Sequence, residues 1–237
     1  MIKAPGLLEL LQSGAHFGHQ ESRWHPKMAP YIYGAKKGVH IIDLEKTIAK
    51  LEEAQNFIKK VVSSGGTILF LGTKKQVHEV MEREAKRAGV PYITNRWLGG
   101  FLTNFSNVIK LAKRYKDLVQ KRDSGELNKY TKKEKLNIEK EIAKMESVIY
   151  GVKDLEKMPD AIFVWDVKKE RTAIKEAQNK KIPLIGICDT NANPLGIDYV
   201  IPTNDDATRA IELIIKYIAD CIIEAKNQGQ PLEKEKV

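Results

Sequence analysis

Four short apolar runs, set among stretches with helical spacing, constrain this chain more than anything else in it. Ile68-Leu69-Phe70-Leu71, Ala161-Ile162-Phe163-Val164-Trp165, Pro183-Leu184-Ile185-Gly186-Ile187 and Tyr199-Val200-Ile201 carry no charged residue to turn toward water. Strands of this kind are buried on both faces, so helices must cover both sides of the sheet they form. The intervening sequence supplies those helices. Asp43 is placed to cap one whose apolar positions Ile48, Leu51, Ala54, Phe57, Ile58 and Val61 recur three and four apart. Val77, Val80, Met81 and Ala85 follow the first apolar run, Ala173, Ile174 and Ala177 follow the second, and a long helix from 205 to about 226 follows the last. A short helix carrying Leu7, Leu8, Leu10 and Leu11 opens the chain and ends at Ser13-Gly14, while 16–38, with Pro26 and Pro30, reads as loop and short strand. The expectation is an α/β fold: a parallel sheet with helices on both faces.

Residues 104–151 interrupt that rhythm. Val108, Leu111, Tyr115, Leu118 and Arg122 keep a three-four spacing, and after a polar turn at Ser124-Gly125-Glu126 so do Ile138, Ile142, Met145 and Ile149. Two helices with such narrow apolar seams predict an inserted antiparallel coiled-coil hairpin that stands away from the core, with its remaining surface charged and more basic than acidic. The domain expectation is therefore an α/β core from 1–103 and 152–227, a hairpin at 104–151, and a disordered tail at 228–237.

A chain of 237 residues can bury a substantial interior, and its formal charge of +9 directs it toward polyanions, either nucleic acid or an anionic membrane surface. No apolar run approaches the roughly 20 residues that span a bilayer. Nor does any helix pair a strongly apolar face with a lysine-rich one, which weakens a peripheral membrane role. The opening Met1-Ile2-Lys3-Ala4-Pro5-Gly6 has none of the apolar stretch of a secretory signal. Cys188 and Cys221 sit among Ile187, Ile222 and Ile223 and read as buried, reduced thiols.

The motifs of catalysis fall short. Gly65-Gly66 precede the strand at Ile68, whereas a dinucleotide fingerprint needs its glycines after the strand, where only Gly72-Thr73-Lys74-Lys75 stand. That stretch is not a P-loop, although a helix start with two lysines suits a phosphate of RNA. Asp189-Thr190-Asn191-Ala192-Asn193-Pro194 lies where open α/β sheets place ligands, yet it also reads as a turn in which Asp and Asn bond their own backbone. Asp189 is taken as structural. His16, His19 and His25 form half a metal set that only a loop aspartate such as Asp189 or Asp205 could complete. No Gly-x-Ser-x-Gly elbow or basic cysteine setting is present. An α/β enzyme or nucleotide-binding module using Gly72 to Lys75 and Asp189 is the competing expectation.

What remains is basic residues interleaved with aromatics. Arg23, Trp24, His25, Lys27, Tyr31, Tyr33, Lys36, Lys37 and His40 form one cluster; Asn95, Arg96, Trp97, Gly99, Gly100, Phe101, Thr103, Asn104 and Phe105 form a second. Cations neutralise phosphates, and aromatic planes stack on unpaired bases. Phe17, Phe101 and Phe105 are expected in the core.

Several of these stretches also resemble a known family. Leu10-Leu11-Gln12-Ser13-Gly14-Ala15-His16-Phe17-Gly18-His19, Arg23-Trp24-His25-Pro26-Lys27-Met28 and Gly38-Val39-His40-Ile41-Ile42-Asp43-Leu44 are similar to the N-terminal signature of the bacterial-type second proteins of the small ribosomal subunit. Asn95-Arg96-Trp97-Leu98-Gly99-Gly100-Phe101-Leu102-Thr103-Asn104 resembles their middle signature. Met158-Pro159-Asp160-Ala161, Ile182-Pro183 and Asp189-Thr190-Asn191 resemble their C-terminal half, so the likeness runs from 7 to about 225. The resemblance implies a flavodoxin-like sheet with a coiled-coil insertion. It also implies a non-catalytic place between head and body of the small subunit, on small-subunit ribosomal RNA. The neighbours it implies are ribosomal proteins, among them the large first protein that helps capture messenger RNA. RNA contact is then expected at Arg23, Trp24, Lys27, Lys36, Lys37, Lys74, Lys75, Arg96, Trp97 and Asn104, with Lys110, Lys113 and Arg114 at the arm's base as further candidates. No catalytic residue, metal, cofactor, small-molecule substrate or membrane partner is expected.

Overall fold

The computed structural model describes residues 2–229. Its centre is a five-stranded sheet of β4 (Ile68–Leu71), β5 (Tyr92–Ile93), β6 (Ala161–Val164), β7 (Leu184–Cys188) and β8 (Tyr199–Pro202). The strands lie in the order β5-β4-β6-β7-β8 and every neighbouring pair is parallel. Counted along the sheet this is second, first, third, fourth, fifth, the order of flavodoxin-like doubly wound sheets. The four apolar runs all became strands. Tyr92–Ile93, a fifth, is only two residues long and offers no pattern to read.

Period-two alternation sends each strand's side chains into two separate cores. Ile68, Phe70, Ala161, Phe163, Ile185, Ile187 and Ile201 point to one side, where α2 (Leu44–Ser63), α3 (Lys75–Ala88) and α7 (Thr208–Gly229) pack. Leu69, Leu71, Ile162, Val164, Leu184, Cys188 and Val200 point to the other, toward α6 (Arg171–Lys180) and the base of the inserted helices. Complete burial of a Leu, Ile or Phe side chain contributes about 1.5–3 kcal/mol, so a sheet buried on both faces is the stability centre of the fold. Asp43 caps α2 as its position demands, accepting from the backbone N–H of Glu45 and Lys46. The short helix α1 (Leu7–Ser13) ends at Gly14, whose φ of 79° is left-handed. Both cysteines are buried and unbridged.

The insertion forms α4 (Phe105–Asp123) and α5 (Lys132–Ile149). Val108, Ala112 and Tyr115 of α4 and Ile142, Met145 and Ile149 of α5 are buried in the second core, with Leu111, Leu118 and Ile138 partly covered. Arg114 and Glu141 join the two helices through a 2.6 Å ion pair. Val108, Tyr115, Ile142, Met145 and Ile149, all seam positions read from the sequence, are among these buried residues, whereas Arg122 is not.

The stretch 16–38, read as loop and short strand, holds β1 (Phe17–Gln20) and β2 (Ile32–Lys36); with β3 (Val39–Ile42) they form a second, antiparallel sheet in the order β1-β3-β2, a pairing the sequence did not announce. One expectation needs correction: residues 228 and 229, expected in the tail, belong to α7, which runs through Gly229; the rest of the expected tail, 230–237, lies outside the described residues.

Candidate nucleic-acid interface

The carboxyl ends of the parallel strands are where a fold of this type usually takes its ligand. Here that place is filled from within. At the turn after β4, the N–H and hydroxyl of Thr73 both donate to Glu170 Oε1, so a buried carboxylate holds the position that a phosphate would take before α3. Burial pushes Glu170 above the usual carboxylate range, and the bonds from Thr73 only partly offset that. Lys74 Nζ lies 2.8 Å from Asp205, 2.6 Å from Asp206 and 3.7 Å from Asp166. Burial disfavours its charge, but hydrogen bonds to Asp205 and Asp206 outweigh that and raise its pKa. Asp205, desolvated and crowded by Asp189 and Asp166, is pushed up to about 6. His19, Asp205 and Asp206 bring one ligand atom each within 4.8 Å of one another, the one such group among the described residues. The Lys74 ammonium already stands against both aspartates.

The antiparallel ribbon is pinned to this edge. His19 Nδ1 stands 3.1 Å from Asp189 Oδ2, the backbone N–H of His19 donates to Thr190 Oγ1, and the backbone N–H of His25 donates to the Thr190 carbonyl. The Asp189 hydrogen bond is the main reason His19 titrates above its ordinary value. Asp189 also accepts from the N–H groups of Thr190 and Asp205, the structural role expected of it. Gly18 permits the close approach, since a Cβ there would fall 2.5 Å from Thr190 Cγ2. From this anchor the ribbon projects residues 22–42, which contain no Asp or Glu. Lys36 and Val39 pair across a two-residue turn, Lys37-Gly38, with φ of 53° and 75°. Such turns favour Asn-Gly; a lysine there accepts left-handed strain. Arg23, Trp24, Lys27, Lys36 and Lys37 are all exposed, and none of the four cations makes an ion pair among the described residues. Trp24 packs on His40 with ring centres 5.2 Å apart, and Tyr33 is 81% exposed.

The second cluster is a loop built around one carboxylate. Glu176, on α6, accepts from Trp97 Nε1 (3.1 Å) and Gly100 N (2.8 Å) on one oxygen, and from Leu102 N (3.0 Å) and Thr103 N (3.2 Å) on the other. Burial alone would raise the pKa of Glu176; these donors overcome it and hold the group below its ordinary range. The loop's other end is tied to the arm, where Asn95 Nδ2 donates to the Ser147 carbonyl. Arg96 and Asn104 are left exposed at its surface.

A family model described as ribosomal protein S2 matches residues 10–225. Small ribosomal subunit protein uS2 of Roseiflexus sp. (strain RS-1) is 50% identical over 226 residues, covering 95% of this chain and 86% of that protein. The chain belongs to the ribosomal protein S2 family. As an S2 protein it is a structural, non-enzymatic constituent of the small ribosomal subunit. No helix among the described residues is long and apolar enough to cross a membrane.

Within this S2 fold the candidate residues divide. The ribbon gathers Arg23, Trp24, Lys27, Lys36 and Lys37 on one projection, while Arg96 and Asn104 share the Glu176 loop. Lys75, Lys110 and Lys113 are exposed and make no ion pair among the described residues, whereas Arg114 is engaged by Glu141. Trp97 and Lys74 must be corrected. Trp97 is buried against Phe101 with its indole N–H bonded to Glu176, which leaves no face for a base. Lys74 spends its charge on three aspartates. Phe17 corrects the opposite way: expected inside, it is 51% exposed and packs on His16. Glu176 went unread because nothing in its local sequence marks it, and Tyr33 because its cluster did not separate outward from inward aromatics.

Proposed function

We propose that the chain binds small-subunit ribosomal RNA through the ribbon, with Arg23, Lys27, Lys36 and Lys37 on phosphates and Trp24 against an exposed base. Arg96, Asn104 and Lys75 extend the contact, and Lys110, Lys113 and Arg114 add to it at the arm's base. The observation that carries this reading is the acid-free stretch 22–42, in which Arg23, Lys27, Lys36 and Lys37 make no ion pair among the described residues. Basic side chains left unpaired in this way release counterions when they meet a phosphate backbone, which drives binding. The α4–α5 pair acts as a coiled-coil arm. With the surrounding surface it offers neighbouring ribosomal proteins a docking face, including the large first protein of the subunit. In this role the chain works in the cytoplasm, supporting assembly and translation.

The test is reloading of the full chain onto small subunits that lack it, followed by sedimentation across a salt series. A double Arg23→Ala, Lys36→Ala variant is expected to bind more weakly, with the slope of log affinity on log salt lowered by roughly 0.7–0.9 for each phosphate no longer neutralised. An unchanged affinity and slope would overturn the assignment.

A further inference from the structure

A cavity of about 540 Å³ opens at the foot of the arm, lined from the core by Thr67, Gly89, Val90, Pro91 and Tyr92 and from the arm's return by Tyr150, Gly151 and the run from Lys153 to Lys157. Thr67 precedes β4 and Pro91 precedes β5, so the cavity lies at the amino ends of the strands, away from the filled carboxyl edge. Its size is in the range that holds a small organic ligand, about 300–1,000 Å³. Val90, Pro91, Tyr92 and Leu155 give it an apolar wall. Tyr150, 38% exposed, contributes an aromatic ring with Lys153 Nζ 4.4 Å and Lys86 Nζ 5.5 Å from its centre. Among the lining charges, Lys86 is paired with Glu82 and Asp154 with Lys116. Lys153 and Lys157 make no ion pair among the described residues and outnumber Glu156, the one lining acid likewise without one.

A ring, an apolar wall and adjacent ammonium groups match the two parts of a nucleotide. The base stacks on an aromatic face, and the phosphate pairs with a cation. We propose that this cavity takes one unpaired nucleotide, its base against Tyr150 and the apolar wall and its phosphate toward Lys153 and Lys157. The source, an RNA strand rather than a free mononucleotide, rests on the RNA-binding reading above. Because core and arm each supply part of the lining, an occupant links them and fixes the direction in which the arm leaves the core.

The experiment is ultraviolet cross-linking of small subunits reloaded with the full chain, with adducts mapped by mass spectrometry. A nucleotide adduct is expected on the peptide carrying Tyr150. Tyr150→Phe is expected to retain it; Tyr150→Ala and Lys153→Glu are expected to cut adduct yield and reloading affinity on the order of ten-fold, the scale of removing one base–aromatic stack. Thermal unfolding of each variant verifies that the fold survives, and the surface substitution Lys153→Glu keeps the test open if Tyr150→Ala does not fold. No adduct near Tyr150 together with native reloading of Lys153→Glu would overturn the proposal. Saturable binding of AMP or UMP to the free chain without an adduct in the subunit would overturn the RNA source. If the Arg23→Ala, Lys36→Ala variant loosens while the Tyr150 and Lys153 variants do not, the cavity fails alone; if neither loosens, the RNA-binding reading fails with it.

Discussion

Glu176→Ala is the substitution from which this structure forecasts the largest local loss. The side chain is one acceptor for four N–H donors that converge from Trp97, Gly100, Leu102 and Thr103. The amides of Gly100 and Thr103 are partly exposed and rehydrate when the carboxylate is removed. Trp97 Nε1 and Leu102 N are buried and do not. An orphaned buried donor costs about 1–3 kcal/mol, which gives about 2–6 kcal/mol for the pair. Relief of the desolvation that Glu176 itself suffers returns part of this, leaving an expected loss of about 2–4 kcal/mol. Glu176→Gln is no remedy, because its amide nitrogen must face two donors wherever it turns. The assay is urea unfolding near neutral pH, with Trp fluorescence also reporting the new environment of Trp97. The pH dependence supplies a second check. A carboxylate whose folded pKa is depressed stabilises fully above its ordinary value of 4.5 and loses that contribution as pH falls through the folded value. The gap between native and Glu176→Ala chains should therefore close in acid. A loss under about 0.5 kcal/mol, or a gap unchanged with pH, would refute the account of the loop as a carboxylate-organised structure.

Three further outcomes are expected. Lys37→Asn should raise the melting temperature while weakening subunit binding, since it relieves left-handed strain of about 1 kcal/mol and removes a cation proposed to meet a phosphate; a variant that is both less stable and native in binding would contradict the turn's assignment. Stability should decline as pH rises above about 6.5. The raised pKa of His19 gives a contribution present below its ordinary 6.5 and lost as pH climbs through its folded value, whereas Asp205, pushed up to about 6 from an ordinary 3.8, has its own decline between those two values and adds little above them. Thermal scans of native chain and His19→Gln across this window measure it, and the variant's decline should be shallower. Arg96→Ala should lower the salt slope of subunit association with little change in the unfolding midpoint, because the side chain is exposed and forms no ion pair among the described residues.

The parallel sheet was legible because its strands carry the signal themselves: four or five apolar residues with both faces buried leave no ambiguity of period. The pairing of the antiparallel ribbon was not, since β1 shows no alternation, β2 alternates only from Ile32 to Ala35, and Pro26 and Pro30 lie between them. Site residues were legible by chemistry and not by direction. Trp24 and Trp97 each follow an arginine, yet one is exposed and the other buried, and the residue that decides it, Glu176, lies 79 positions from Trp97. Lys74 and Lys75 are adjacent and chemically alike; of the three aspartates that claim Lys74, Asp205 is 131 positions away. Long-range partners separate functional from structural use of the same residue type, and local sequence does not contain them.

That separation also bears on why a fold that so often carries enzymes carries a structural protein here. A phosphate entering the turn after β4 would have to displace the Glu170 carboxylate from Thr73 and compete with three aspartates for Lys74. The helix start would attract it, but it would arrive beside Asp166, Asp189 and Asp205, where burial first and repulsion among these carboxylates second already drive Asp205 upward. At the close distances involved, like charges in a poorly hydrated site outweigh a helix-terminus contribution of about 0.3–1 kcal/mol. The same acidic group instead serves as the anchor for the ribbon, through His19 and Thr190. On the proposed function, anion recognition moves outward, from the edge of the sheet to the acid-free projection fastened upon it. A phosphate backbone, too large to enter a closed edge, can be met there.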